Sequence, residues 1–274
     1  MHSEAVKLID THCHLTDNRL SGNLEGVLER ARDADVVAII SATADVADSI
    51  KASQLAERYK QVYCTAGVHP HESGKVSKDY LNRLEELIKN PRCVAIGEIG
   101  LDYHYDFSPR DAQQRVFAEQ LTLARQYGKP VVIHMREAFD DTLAIISESG
   151  ISGEQIIFHS FTGGQEQARR VLQIGAYVSF SGILTFKNAD AIRSTAVLVP
   201  DDKILIETDA PYLSPEPIRK MKINEPANIT YIAEFLARIR KIGVKQIAEQ
   251  TTVNALKIFS LDIGMQEDVS FDHG

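Results

Sequence analysis

Short apolar runs alternate with amphipathic stretches along nearly the whole chain. Candidate strands fall at Lys7–His14, Val36–Thr43, Val62–His69, Cys93–Leu101, Val131–Arg136, Gln155–Ser160, Ala176–Ser181 and Lys203–Asp209. Between them the apolar positions take helical spacing. Leu24, Val27, Leu28 and Ala31 stand at i, i+3, i+4 and i+7, which lays one apolar stripe along a helix. Leu81, Leu84 and Ile88 repeat the pattern, as do Phe117, Leu121 and Ala124. Ser108-Pro109-Arg110-Asp111 predicts a helix start, with a capping hydroxyl, a first-turn proline and a returning carboxylate. That helix is predicted to stop at Gly128, with Pro130 two residues on. The strands are nearly continuous apolar runs, such as Val36–Ile40 and Ile204–Ile206. Strands covered on both faces read that way, so the sheet is predicted to be mostly parallel.

Eight strand-then-helix units predict an α/β fold, a single-domain (β/α)8 barrel. The barrel is expected over about residues 7–243, followed by a C-terminal helix over about 244–260 and an exposed acidic tail over 261–274. After the last strand comes a polar loop, Ser214–Pro226, then helical stretches at Ile229–Ile239 and Val244–Phe259. An open doubly wound sheet is the competing topology, because counting units does not prove closure. No Gly-x-Gly-x-x-Gly follows the first strand to favour it.

Composition narrows the function classes. With 44% hydrophobic and 25% charged residues, the chain is not a largely disordered one. No run of about 18 apolar residues occurs, which excludes a transmembrane helix. Met1–Lys7 carries Glu4 and no signal-length apolar stretch, which argues against export. Three cysteines, Cys13, Cys64 and Cys93, fit a reducing cytoplasm better than a disulfide framework. A net charge of −8 argues against a broadly basic surface coating nucleic acid, and leaves room for nucleic acid gripped at one local site.

The candidate chemistry gathers at the predicted C-terminal strand ends, where such a barrel carries its site. The first strand ends in Asp10-Thr11-His12-Cys13-His14. Residues two apart on a strand share a face, so His12 and His14 can point inward together while Cys13 packs outward. The fourth ends in Gly97-Glu98-Ile99-Gly100-Leu101-Asp102, the fifth at His134, the sixth at His159 and the eighth in Glu207-Thr208-Asp209. Singly, each has a bland alternative: a salt bridge for Glu98, a satisfied core histidine for His134 or His159, a turn cap for Asp209. Together, four histidines and two carboxylates share one rim. Six such donors are too many for one tetrahedral ion and suit two ions sharing a carboxylate, with Glu98 or Asp209 as the bridge.

These blocks resemble the TatD-like metal-dependent deoxyribonucleases, within the wider metal-dependent hydrolase barrels. The matching blocks are Asp10–Leu15, Gly67–His71, Gly97–Tyr103, His134–Ala138, His159–Gly163 and Glu207–Tyr212, in family order over nearly the whole chain. The resemblance implies one ion held by His12, His14, Glu98 and Asp209, and another by Glu98, His134 and His159, with Glu98 bridging. It also implies Mg-supported nuclease activity, although four imidazoles favour Zn or Mn over Mg. The sequence departs from the family where Lys220 follows Arg219 in place of the usual glycine, and where Ser160 stands for a common cysteine.

The expected enzyme is thus a metal-dependent hydrolase, a deoxyribonuclease cutting DNA phosphodiester bonds in single strands or at 3′ ends. Asp209 is the candidate proton acceptor, with Glu98 beside it as the bridging catalytic carboxylate. Candidate substrate contacts are His69, His71, Tyr103, Arg136, Arg219 and Asn224. For Arg136 the bland alternative is a salt bridge to Glu137 or Asp102. For Arg219, Lys220 and Lys222 it is a solvated run. Two other functions compete. One is an amide or ester hydrolase of the same barrel group, such as an aminoacyl-tRNA deacylase. The other is a non-catalytic metal-binding protein.

Overall fold

The computed structural model describes residues 7–263. Its strands are β1 (Leu8–Cys13), β2 (Val36–Ser41), β3 (Val62–Ala66), β4 (Cys93–Asp102), β5 (Val131–Arg136), β6 (Ile156–Phe158), β7 (Tyr177–Phe180) and β8 (Ile204–Ile206). Helices α1 (Asn18–Ser21), α2 (Leu24–Asp33), α3 (Val46–Arg58), α4 (Tyr80–Ile88) and α5 (Arg110–Tyr127) lie between the earlier strands. Then come α6 (Phe139–Ser149), α7 (Gln165–Gln173), α8 (Asp190–Leu198), α9 (Ile229–Arg240) and α10 (Val244–Phe259).

Each strand pairs in parallel with the next in sequence, from β1 to β8. The ring closes where Cys13 bridges Ala210 and where the His14 and Asp209 amides donate to the Ala210 and His12 carbonyls, at 2.7 and 2.9 Å. A doubly wound sheet would reverse its strand order midway and leave both edges apart. The barrel reading therefore holds.

Side-chain alternation sorts the core into two layers. On β5, Val131 and Ile133 face the helices while Val132 faces the axis, as Ile39 and Ile40 divide on β2. The outward layer receives the helix stripes, including Leu28, Leu84 and Phe117. The inward layer is apolar only at the lower end, where Ile9, Ile40, Tyr63, Val132, Tyr177 and Leu205 fill the axis. Ala255, Ile258 and Phe259 of α10 pack beneath them as a plug. The upper, C-terminal end has histidines and carboxylates in place of this filling.

Two expectations are corrected in detail. The strands at β3, β6 and β8 stop before His69, His159 and Asp209, because the chain turns toward its helix there, although the three amides still donate to the Ala44, Ile133 and His12 carbonyls. Ser108 does not cap α5. Its hydroxyl donates to the His71 carbonyl and accepts from the Gly74 amide, while Pro109 occupies the cap position. It staples the loop after β3 to the start of α5. The helix does end at Gly128 in the left-handed conformation. Part of the expected acidic tail, residues 264–274, lies outside the described residues. No described helix is long and apolar enough to cross a membrane.

Candidate active site

Glu98 stands at the centre of the upper layer, 3% exposed. Its two oxygens face different neighbours. Oε2 lies 3.4 Å from His12 Nε2 and 3.8 Å from His14 Nε2. Oε1 lies 2.7 Å from His134 Nδ1, 2.8 Å from His159 Nε2 and 3.4 Å from His69 Nε2. Asp209 Oδ1 completes the first side, 3.3 Å from His14 Nε2 and 3.7 Å from His12 Nε2. All six expected metal ligands thus converge, although they come from five different strand ends. His12 and His159 stack face to face, ring centroids 4.0 Å apart, one from each side.

The donor atoms fall into three overlapping groups, each within 4.8 Å: His12, His14 and Asp209; His12, Glu98 and His159; His69, Glu98 and His134. Neutral imidazoles and ionised carboxylates are the donor set of first-row divalent ions. The residues behind the rings support the same use. Asp102 Oδ2 lies 3.0 Å from His134 Nε2, and Glu207 Oε1 lies 3.2 Å from His159 Nδ1. Each carboxylate holds the proton on the far nitrogen and leaves the near lone pair facing Glu98, as ligating histidines require. These residues therefore fit a pair of metal ions.

His69 differs. Its Nδ1 accepts the His71 amide at 3.1 Å, so a neutral ring carries its proton on Nε2. Burial lowers its pKa to about 4, which keeps the ring neutral near pH 7. Proximity groups His69 with Glu98 and His134, and this tautomer turns its Nε2–H toward Glu98 Oε1, 3.4 Å away in the wall of the cup.

Charge balance follows the pairing. Burial would raise Glu98, yet His159, His69 and His12 pull it well below the ordinary carboxylate range. Burial likewise opposes Asp209, which the His14 hydrogen bond draws down. His14, His134 and His159 are raised, since facing carboxylates outweigh burial, whereas burial and neighbouring His159 lower His12. Asp10, buried below, rises to about 7 because burial outweighs its Thr208 and His12 hydrogen bonds. It ties β1 to the chain beyond β8, accepting the Thr208 amide at 2.9 Å.

The donors floor a cavity of about 890 Å³, open at the rim and lined also by Tyr105, Arg136 and Tyr212. Arg136 makes no ion pair among the described residues. Glu137 pairs with His104 and Asp102 with the histidines, while the Arg136 guanidinium lies 4.7 Å from the Tyr105 ring centroid. The other expected contacts are placed differently from one another. His71 Nε2 is held 2.9 Å from Asp102, bracing the carboxylate behind His134. Tyr103 donates its hydroxyl to Asp141, outside the cup. Asn224 is fully buried, its amide donating to the Thr208 carbonyl and its oxygen accepting from Glu225 and Asn228. It straps the loop after β8 and offers nothing to a substrate. Arg219 lies beyond the cup, over the Phe186 ring.

Sequence reading missed Asp102 and Glu207 as the groups that fix the histidine tautomers. Both are visible as carboxylates at the ends of apolar runs, but the rings they hold lie 32 and 48 residues away. Tyr105 was missed for its neighbour Tyr103, because only the loop's conformation decides which ring turns inward.

The family described as TatD related DNase matches residues 9–260. The chain belongs to this family. As a TatD-family member it is a metal-dependent hydrolase. It is 38% identical over 255 residues to the uncharacterised metal-dependent hydrolase YabD of Bacillus subtilis, covering 93% of this chain and 100% of the relative. It is 34% identical to the 3′-5′ ssDNA/RNA exonuclease TatD of Edwardsiella piscicida, again over 93% and 100% of the two chains. Among solved structures, the TatD homologue YJJV of Escherichia coli superposes with a TM-score of 0.88 at 30% identity, covering 93% of this TatD-family chain and 98% of that one.

Proposed function

We propose that the protein is a two-metal deoxyribonuclease that removes nucleotides from single strands or 3′ ends. The observation that carries this reading is Glu98, whose two oxygens face two separate sets of donors in one cup. Relatives named as 3′-5′ ssDNA/RNA exonucleases support the choice of substrate and direction. His12, His14, Glu98 and Asp209 would hold one divalent ion, and Glu98, His134 and His159 the other, with Zn, Mn or Mg as candidates. Such ions, when bound, lower the pKa of water and polarise a phosphoryl oxygen.

The chain's own groups do the rest. Arg136 and the His69 Nε2–H bind phosphate oxygens and orient the ester over Glu98. A water attacks phosphorus as the ester P–O bond breaks. Asp209 takes the water's proton on its carboxylate, and the departing alkoxide is protonated from solvent. Three buried, unpaired cysteines fit a cytoplasmic enzyme.

The test uses metal-stripped protein with an end-labelled single strand, a blunt duplex and an abasic duplex, adding back Mg, Mn or Zn. A ladder shortening from the 3′ end of the single strand is expected. Intact label with every ion overturns the nuclease reading, and internal cutting of the duplex at equal speed removes the strand preference. Asp209→Asn is expected to lower kcat about 10²–10⁴-fold while retaining part of the metal. Near-native turnover with full metal content would leave Asp209 without a proton-accepting role.

A further inference from the structure

The central cup does not end at its rim. Tyr212 and Leu213 also line a second hollow of about 380 Å³, which contains Arg219 and Lys222. Arg219 and Phe186 continue into a third, of about 450 Å³. A track therefore leads from the Asp209 side of the donors over Tyr212 and along the loop after β8. Tyr212 is 47% exposed, and the Arg19 guanidinium lies 4.4 Å from its ring centroid. Arg219 lies 3.4 Å from the Phe186 centroid, forming a second platform of cation on ring.

Charge gives the track a sense. Asp17 neutralises Arg19 at 2.8 Å. Arg219, Lys220 and Lys222 have no ion-pair partner among the described residues; of the loop's two carboxylates, Glu225 is paired with Arg30 at 2.6 Å and Glu216 lines the third hollow beside Arg219, so the loop keeps an excess of cations in a chain of net charge −8. The rim above β2 and β3 instead presents Asp45 and Asp48, with Lys51 beside them, and Glu72, which Lys75 pairs at 2.8 Å. A polyanion leaving the cup is repelled on that side and attracted on the other. Flat rings alternating with unpaired cations are what an unpaired strand needs, since bases stack and phosphates pair.

We propose that this outer groove is a second nucleic-acid subsite, holding the nucleotides of single strand that adjoin the bond being cut. It rests on the nuclease reading above and adds a direction of exit. Tyr212 stacks the first base outside the cup, while Arg219 and Lys222 take the phosphates that follow.

The experiment compares kcat/KM for a dinucleotide, too short to leave the cup, with that for a long single strand. In the native protein the ratio of long to short is expected well above one. Arg219→Ala with Lys222→Ala should lower that ratio about tenfold, chiefly through KM, and weaken binding of a fluorescent single strand to the metal-free protein. Tyr212→Ala should act in the same direction. All three residues are exposed, and far-UV circular dichroism checks the fold. Arg58→Ala with Lys89→Ala, at the opposite end of the barrel, should leave the ratio unchanged. An equal fall there would mean bulk charge and overturn the groove. A ratio near one in the native protein overturns it too, while the nuclease reading stands. A protein that cuts neither substrate with any ion removes both.

Discussion

Proton competition governs the residues of the cup. His14, His134 and His159 face carboxylates that raise their pKa values, so each keeps its proton at a pH where free imidazole, near 6.5, has lost it. A metal ion must displace those protons, and its affinity therefore falls as pH drops through the raised imidazole range, which begins above that of free imidazole. Competition against a chelator at pH 6 and pH 8 should show at least about tenfold weaker binding at the lower value, with proton release detected in calorimetry. Equal affinity at both would mean that the rings are neutral before the ion arrives. These histidines were legible as candidates because each closes an apolar run. Their tautomers were not, because Asp102 and Glu207 reach them only through the folded barrel.

Among the elements, β4 and α5 depend on glycine for different reasons. Gly100 has φ +137°, and a Cβ there would lie 2.0 Å from the His134 carbonyl oxygen on β5. Gly128 ends α5 at φ +63° with open space around its missing side chain. Gly128→Ala should therefore cost only the left-handed backbone penalty, about 1–2 kcal/mol. Gly100→Ala must push apart the strands that carry Glu98 and His134, and should cost more than about 3 kcal/mol as well as metal affinity. Denaturant unfolding of both variants measures the difference, and equal losses would show that the approach of β4 to β5 is not tight. The left-handed stop of α5 was readable from Gly128 and Pro130. The role of Ser108 was not, because its partners at His71 and Gly74 belong to another loop.

Across the whole molecule, a net charge of −8 leaves few unpaired cations near the cup. Single-stranded DNA is expected to meet Arg136, Arg219, Lys220 and Lys222 and few other cations. Counterion release by three or four contacts gives a shallow slope of log K against log salt, about −2 to −3. Anisotropy titrations across salt concentrations measure it. A much steeper slope would mean that a larger basic surface engages the strand.

The sequence by itself determined the eight-unit α/β plan and singled out the six residues proposed as metal donors. Period-two and helical spacing are local properties, and a polar residue closing an apolar run signals a buried use. Tertiary structure decided what spacing cannot carry. It closed the ring at Cys13 and Ala210 and turned Tyr105 rather than Tyr103 inward. It also withdrew Asn224 from the cup and set Asp102 and Glu207 behind their histidines. Each of these depends on groups brought together from distant parts of the chain, and only packing fixes which of them meet.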